Sequence, residues 1–390
     1  MSNLAPITPG VLKWARESAK ISAVSAALRI STSEEKIIQW ETGEAMPSIS
    51  QAKKLAEFYK RPFALFFLPE IPRDFTPLQD FRRTGSIELG TASLFMIREI
   101  QERQAWLSDF NEENEMAPLP FIGKFALDNS PSQVAEDILH TLEINPCNYK
   151  NLAPLKVWLT QIEAHGIYVS RSSFIHSRMT ISVEELQGFA IADNYAPFVF
   201  LNTGDWEAPT LFTLVHELAH LWINESGISN ISLLDTEPIS SYHPIEIFCN
   251  EVAACALIPI GGISQVDFHK IQHPRIFQIS KRWGVSSFAL LVRAFNLELI
   301  TIEQYHNLKA EAEYNFKVFL KHEEIKRAKQ KEQGKGTPHP LTLRLNRNGK
   351  MFTQTVLEAY KGGQISSSTA SQLLNVKINH FPKLEARIYL

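Results

Sequence analysis

His216, Glu217 and His220 form the pattern His-Glu-x-x-His in a segment, residues 213–222, that carries no other charged side chain. On a helix, residues four apart project from the same face, so both imidazoles can bind one metal ion. Glu217 is rotated by about 100° from His216, where its carboxylate can hold a metal-bound water without ligating the metal. Zn²⁺ lowers the pKa of that water, and a carboxylate can take its proton as the water attacks a peptide carbonyl. The spacing therefore predicts zinc-dependent hydrolysis.

The alternative is a surface helix with two solvated histidines. The neighbouring side chains argue against it, because they are apolar nearly all round the helix. Buried imidazoles and a buried carboxylate are costly unless something pairs with them, and a metal ion does so. The apolar neighbours are Leu211, Phe212, Leu214, Val215, Leu218, Leu221 and Trp222.

A catalytic zinc usually has three protein ligands and one open position, so a third ligand is expected downstream of His220. Pro244 begins a second apolar helix, which carries two candidate carboxylates. Glu246 shares a face with Asn250, whereas Glu251 points roughly 140° away from Glu246. Glu251 belongs to a segment, Asn-Glu-x-x-Ala, that resembles another zinc-enzyme signature. Spacing alone leaves both carboxylates open.

Composition indicates a globular protein of two or three domains. The chain has 390 residues, of which 44% are hydrophobic and 21% charged, with a formal net charge of −3. Three unpatterned cysteines fit a reducing compartment rather than a disulfide framework. No segment has the length and apolarity of a membrane span, and the N-terminus has no signal-like pattern. We therefore expect a cytoplasmic protein without membrane contact.

The elements that must position these residues indicate an α+β fold. Short capped helices, two of them joined by a three-residue turn, predict an all-α helix-turn-helix domain at the N-terminus. Candidate strands at 166–170, 188–192 and 197–202 precede the metal helix, which indicates a zincin-like domain with a small antiparallel or mixed sheet. A mostly helical C-terminal extension follows, after an alternation of Leu341, Leu343 and Leu345. The predicted segments are a helix-turn-helix domain (1–70), a linker with a long amphipathic helix (71–117), a metallopeptidase domain (118–320), a charged linker (321–340) and the extension (341–390).

Several motifs together resemble the ImmA/IrrE family of zinc-dependent metallopeptidases. Residues 212–220, residues 246–254 and Leu257-Ile258-Pro259 are similar to its metal-binding helices. Residues 40–48, Trp-Glu-Thr-Gly-Glu-Ala-Met-Pro-Ser, resemble the signature of Xre-type helix-turn-helix domains, and Asp80-Phe81-Arg82-Arg83 is similar to a junction in longer members. The resemblance implies that Glu246 is the third ligand, that Asn250 supports the site, and that the substrate is a helix-turn-helix transcriptional repressor.

Other residues near the motifs have weaker signals. Tyr242 and His243 precede the Glu246 helix, where either could donate a hydrogen bond to the oxyanion of the reaction or simply cap the helix. Cys249 has apolar neighbours and is interpreted as a core residue. One of the strands at 188–192 and 197–202 is expected to have a free edge, where an extended substrate could bind by strand addition.

DNA is the less favoured partner of the helix-turn-helix domain, although residues 10–60 could bind it. The second helix of the motif begins Ser33-Glu34-Glu35, and two carboxylates there would repel phosphates. Residues 1–70 contain nine Lys and Arg against seven Asp and Glu, a small positive excess. A protein-docking or homodimerising domain is the other interpretation.

The leading hypothesis is a zinc endopeptidase with His216, His220 and Glu246 as ligands and Glu217 as general base. The alternative is a non-enzymatic regulator, antitoxin-like or repressor-like, with a structural zinc site. A structural site would be closed by a fourth protein ligand, and Glu217 would have no purpose in it.

Overall fold

The structure is a computed structural model that describes residues 3–72, 77–82, 86–176, 179–229, 243–268, 271, 273–332 and 339–389. These residues form two compact units. The first comprises residues 1–77, 88–101 and 175–180, and the second comprises the remainder. Within the described ranges, no helix combines the length and the apolarity that a bilayer crossing needs. The residue boundaries of the five predicted segments remain predictions.

The first unit contains the predicted helix-turn-helix domain. Its helices are α1 (Pro9–Glu17), α2 (Ala23–Ile30), α3 (Glu34–Thr42) and α4 (Ile49–Phe58), followed by a 3₁₀ helix (Phe63–Phe67). Local signals set these bounds: the Ser22 hydroxyl accepts from Ser25 N–H at 3.1 Å, and Ser48 forms a capping box with Gln51. The prediction of an N-terminal helical domain is confirmed.

A buried ion pair joins α1 to α3. The guanidinium of Arg16 donates through Nε and Nη2 to both carboxylate oxygens of Glu41, each at 2.7 Å, and the two side chains are 12% and 4% exposed. The hydrogen bond and charge of Glu41 raise the pKa of Arg16, although burial opposes them. The pair fixes the crossing of two helices that are too short to be stable alone.

The second unit contains a mixed five-stranded sheet of order β1-β7-β5-β6-β2. Antiparallel pairing joins β5 to β6 and to β7, whereas β2 lies parallel to β6 and β1 parallel to β7. The expectation of a free edge at 188–192 or 197–202 was wrong, because β5 and β6 are both interior strands. The strands are β1 (Gln79–Asp80), β2 (Tyr168–Arg171), β5 (Gly188–Ile191), β6 (Phe198–Leu201) and β7 (Gly227–Ser229); β3 (Phe174–His176) and β4 (Met179–Thr180) form a separate pair.

Helices pack against this sheet and enclose the main hydrophobic core. The metal-motif helix α8 contacts β5, β6 and two further helices, α6 and α9, and it contributes buried residues from Thr210 to Trp222. The remaining helices are α5 (Thr91–Glu113), α6 (Pro131–Thr141), α7 (Pro154–Ala164), α8 (Glu207–Trp222), α9 (Pro244–Leu257), α10 (Ile260–Ile263), α11 (His273–Trp283), α12 (Ser287–Asn296) and α13 (Ile302–Glu332). The predicted α+β class, with a small mixed sheet and a helical C-terminus, is confirmed.

Two stretches of the C-terminal part that had not been assigned as helices are helical. The charged segment predicted as a linker from residue 321 is helical as far as Glu332, since Lys, Glu and Gln are good helix formers even where no core is available. The leucine alternation lies in α14 (Pro340–Asn348), where Pro340 occupies the first turn and His339 caps it. Three further helices follow: α15 (Lys350–Lys361), α16 (Ser367–Leu374) and α17 (Phe381–Ala386).

Candidate metal centre

Helix α8 brings the two predicted histidine ligands together in the protein interior. His216 and His220 are fully buried, and their Nε2 atoms lie 3.1 Å apart. The apolar side chains around the helix account for this burial, because they pack on the sheet, on α6 and on α9. Two buried imidazole nitrogens that face each other at this distance favour a shared cation between them.

Helix α9 supplies a carboxylate at the same point. Glu246 is 2% exposed, with Oε2 at 3.4 Å from His216 Nε2 and Oε1 at 3.3 Å from His220 Nε2. Glu251, the rival candidate, is exposed. The pitch of α9 therefore directs Glu246 to the imidazoles and turns Glu251 away.

Asn250, one turn after Glu246, fixes the tautomer of His216. Its Oδ1 lies 3.0 Å from His216 Nδ1. Because an amide oxygen can only accept, Nδ1 carries the proton and donates it, which leaves the Nε2 lone pair facing His220 and Glu246. This is the protonation state that a metal-ligating imidazole needs.

The donor set suits a cation in its close spacing and its charge. The two Nε2 atoms lie 3.1 Å apart, and each has a different oxygen of Glu246 nearby, at 3.4 Å from His216 and at 3.3 Å from His220. These distances are similar to the separation of about 3.3 Å between the ligands of a tetrahedral zinc ion. Burial acts to raise the pKa of Glu246, but the charges and hydrogen bonds of His216 and His220 outweigh it and lower the pKa to about 2. The pKa of His220 is lowered, chiefly by burial. An ionised carboxylate beside two buried imidazole nitrogens is a suitable cation site.

Glu217 lies beside this donor set with both carboxylate oxygens buried. Neither oxygen has a hydrogen-bond partner among the described residues. Burial first, and then the negative charge of Glu246, raise the pKa of Glu217 well above its ordinary value; the nearby Ser229 hydroxyl lowers it by less, and its hydrogen bond goes to Glu246 rather than to Glu217. Gly188 of β5 provides the space for this carboxylate, since a Cβ there would lie 2.8 Å from Glu217 Oε1. A buried carboxylate without a partner is costly in a folded protein, which is typical of a group kept for function.

Cys249 is the other third donor that geometry allows. Its Sγ and one nitrogen of each imidazole all lie within 4.8 Å of one another. We favour Glu246 because its oxygens contact both Nε2 atoms at hydrogen-bonding range. Burial first, and then the negative charges of Glu246, Glu217 and Glu225, raise the pKa of the Cys249 thiol well above its ordinary value.

Two side chains at the site were not predicted from the sequence. The Ser229 hydroxyl of β7 donates to Glu246 Oε1 at 3.2 Å and lies 3.2 Å from His220 Nε2. The ring of Phe81 stacks on His220, with centroids 5.4 Å apart and planes inclined by 11°. Both contacts depend on the pairing of strands that are distant in the sequence, and no residue spacing predicts that pairing.

The remaining predicted catalytic residues are less informative. Tyr242 lies outside the described residues. His243 is exposed and caps α9, because its Nδ1 accepts from Ile245 N–H at 3.3 Å. Its ring centroid also lies 5.1 Å from that of Phe81. The capping role is what the structure shows, and a catalytic role for either residue remains a prediction.

Comparison with protein families agrees with this arrangement. Residues 162–295 match the family model Peptidase_M78, the IrrE N-terminal-like domain, and this range contains His216, Glu217, His220 and Glu246. Residues 12–66 match a helix-turn-helix model that covers α2 and α3. A comparison with curated proteins gave no match. Two separate parts of the chain therefore match known family models, a helix-turn-helix near the N-terminus and an IrrE N-terminal-like domain that includes the candidate metal centre.

Proposed function

We propose that this protein is a zinc-dependent endopeptidase. The observation that carries the proposal is the convergence of His216, His220 and Glu246 on one buried point, with the unpartnered carboxylate of Glu217 beside it. Two imidazoles and one carboxylate form a common ligand set of catalytic zinc, in which the fourth position is kept for water or substrate.

Each residue then has a distinct role. The three ligands hold the ion, and Asn250 orients His216. When bound, zinc acts as a Lewis acid that makes a water acidic enough to attack a peptide carbonyl at neutral pH. Glu217 would serve as general base for the attacking water and then as proton donor to the leaving amine. Its buried position suits this role, because no hydrogen bond from the described residues competes for its oxygens.

The proposed substrate is a protein, namely a helix-turn-helix transcriptional repressor. Support comes from the family resemblance and from the chain's own helix-turn-helix domain, a module that could dock or dimerise with a similar fold. Glu34 and Glu35 are exposed at the start of α3, the helix that would enter a DNA groove. Their charge disfavours DNA as the main partner, and a protein partner is the proposal we adopt.

A pair of matched substitutions tests the metal ligand and the base separately. Glu246→Gln should lose zinc, whereas Glu251→Gln, on the same helix but exposed, should retain it, as measured by metal analysis of the purified proteins. Glu217→Gln should retain zinc and abolish cleavage of the repressor encoded beside this gene, measured by co-expression and mass spectrometry of fragments. Full cleavage by the Glu217→Gln variant would rule out the proposed base.

One observation favours the alternative, a regulator with a structural zinc site. The donor set is buried, and Phe81 covers His220, as expected of a closed site. A gel shift on the DNA upstream of the gene, with and without chelator, discriminates between the two. Chelator-insensitive DNA binding without proteolysis would support the regulator.

A further inference from the structure

Residues 79–81 occupy the sheet edge nearest the metal centre. Strand β1 lies parallel to β7, with Gln79 opposite Gly227 and Asp80 opposite Ile228, and the N–H of Phe81 donates to Ile228 O at 3.1 Å. The next residue of β7, Ser229, contacts His220 and Glu246. Without β1, this edge of β7 would offer unpaired backbone groups beside the metal ligands.

The side chain of Phe81 fills a niche that is lined by β7 and by the metal-binding helices. It is 1% exposed and lies between the rings of His220 and His243. Gly227 forms the floor of this niche, since a Cβ at that position would lie 2.1 Å from Phe81 Cε2. A side chain at 227 would therefore exclude the aromatic ring.

Arg82 holds the segment in place at its C-terminal end. Its guanidinium donates to the Asp80 carboxylate at 2.6 Å and to the carbonyl oxygen of Glu185 at 2.8 Å, and its side chain is 5% exposed. Only two residues pair with β7, so the burial of Phe81 and these contacts of Arg82 hold the short strand in place.

We propose that the outer edge of β7 is the peptide-binding site of this metal centre, and that residues 79–81 fill it as an internal competitor. An incoming extended peptide would replace the backbone hydrogen bonds of β1 and place an aromatic side chain in the niche over Gly227. The site thus selects an unfolded or extended segment with an aromatic residue beside the metal. Cleavage of such a peptide rests on the proposed peptidase function, whereas displacement of β1 by the peptide does not.

The tethered segment has an advantage over any free peptide. A covalently linked competitor acts at an effective concentration in the millimolar range, so the wild-type protein should bind a free peptide weakly. Removal of the Phe81 ring takes away its burial and its stacking on His220. The same peptide added in solution should then bind at least about tenfold more tightly.

The test uses a fluorescent peptide with the sequence of residues 77–82 and measures its anisotropy. All proteins are zinc-loaded and carry Glu217→Gln, so that the probe is not cleaved. Phe81→Ala should increase affinity at least tenfold over the parent, and Phe81→Ala with Arg82→Ala should increase it further. A probe with alanine in place of phenylalanine should not gain affinity. Phe352→Ala is the matched control, because Phe352 is fully buried in the C-terminal part, against Trp106 and away from the metal ligands.

Two results would overturn the proposal: no gain in either Phe81 variant whose circular dichroism is that of a folded protein, or an equal gain in the Phe352→Ala control. The outcome is independent of catalysis. If the Phe81 variants with intact Glu217 bind the probe but cleave no protein, the proposed peptidase function fails while the displacement stands. If the variants cleave the repressor and the affinity for the probe does not change, the displacement fails while the peptidase function stands.

Discussion

Replacement of Gly188 by alanine should reduce catalysis without loss of the metal. Gly188 lies in β5 directly beside Glu217. An added Cβ would lie 2.8 Å from Glu217 Oε1, 2.7 Å from Thr213 Cγ2 and 3.1 Å from the backbone oxygen of Phe200. None of the three metal ligands is among these contacts, so the substitution acts on the proposed base, on Thr213 and on the neighbouring strand rather than directly on the ligands.

The magnitude follows from these distances. Ordinary van der Waals contact begins at 3.4 Å, so the Glu217 carboxylate must retreat by about 0.6 Å, and the Thr213 methyl by a similar distance. Overpacking of this size costs about 1–3 kcal/mol of unfolding free energy. A catalytic group displaced by up to about 1 Å costs up to about 100-fold in rate. We therefore expect kcat to fall about 10- to 100-fold.

The assay compares Gly188→Ala with Gly261→Ala, in which the same methyl group meets no atom within 4 Å. Cleavage of the repressor is followed by gel densitometry, zinc content by metal analysis, and stability by urea unfolding. Gly261→Ala should match the wild-type protein in all three. Full activity in a folded Gly188→Ala variant would refute the assignment of Glu217, and loss of zinc together with activity would refute the claim that the base can be displaced separately.

Three further predictions concern residues that support the site or the fold. Asn250→Ala removes the acceptor of the His216 Nδ1 proton and should weaken zinc affinity about 10- to 100-fold, measured against a chromophoric chelator, with the fold retained. Glu41→Ala leaves the largely buried Arg16 with only the exposed Glu17 carboxylate and the Ile21 carbonyl oxygen as partners, and should cost about 3 kcal/mol in urea unfolding. A cost below about 1 kcal/mol would mean that water replaces the pair. Burial raises the pKa of Glu163, against the opposing hydrogen bonds of two backbone N–H groups that begin α15. The stability contributed by a group with a raised folded pKa is present below its unfolded pKa and lost as pH rises through the folded pKa. Glu163→Gln should therefore raise Tm at pH 7, and this gain should vanish below about pH 4.

The N-terminal helices could be predicted from the sequence because their boundaries are set locally. Ser22 and Ser48 each satisfy backbone N–H groups within three residues, so the cap and the helix start lie in the same short window. Pro340 gives α14 a similar local starting signal, although the alternation of three leucines within the helix is not itself a helical pattern.

The metal site was predictable in its helical part for a related reason. His216 and His220 lie one turn apart on one helix, and helical pitch alone directs Glu246 rather than Glu251 toward the face that carries Asn250. Helical pitch does not determine which face of α9 packs against α8. That choice is made by tertiary packing, and the family resemblance substituted for it in the prediction.

No pattern in the sequence predicted the contacts made by the sheet edge. β1 has only two residues, both exposed, and lies almost 150 positions before its partner β7, so neither alternation nor turn chemistry marks it. Phe81 and Arg82 looked like part of a linker, because their burial arises only when the strand pairs. The space over Gly227 explains why that pairing is specific. A larger residue at 227 would exclude the Phe81 ring, and the strand would then lose the burial that holds it in place. The part of the site that helix periodicity could not reveal is therefore the part that brings Phe81 and Ser229 against His220.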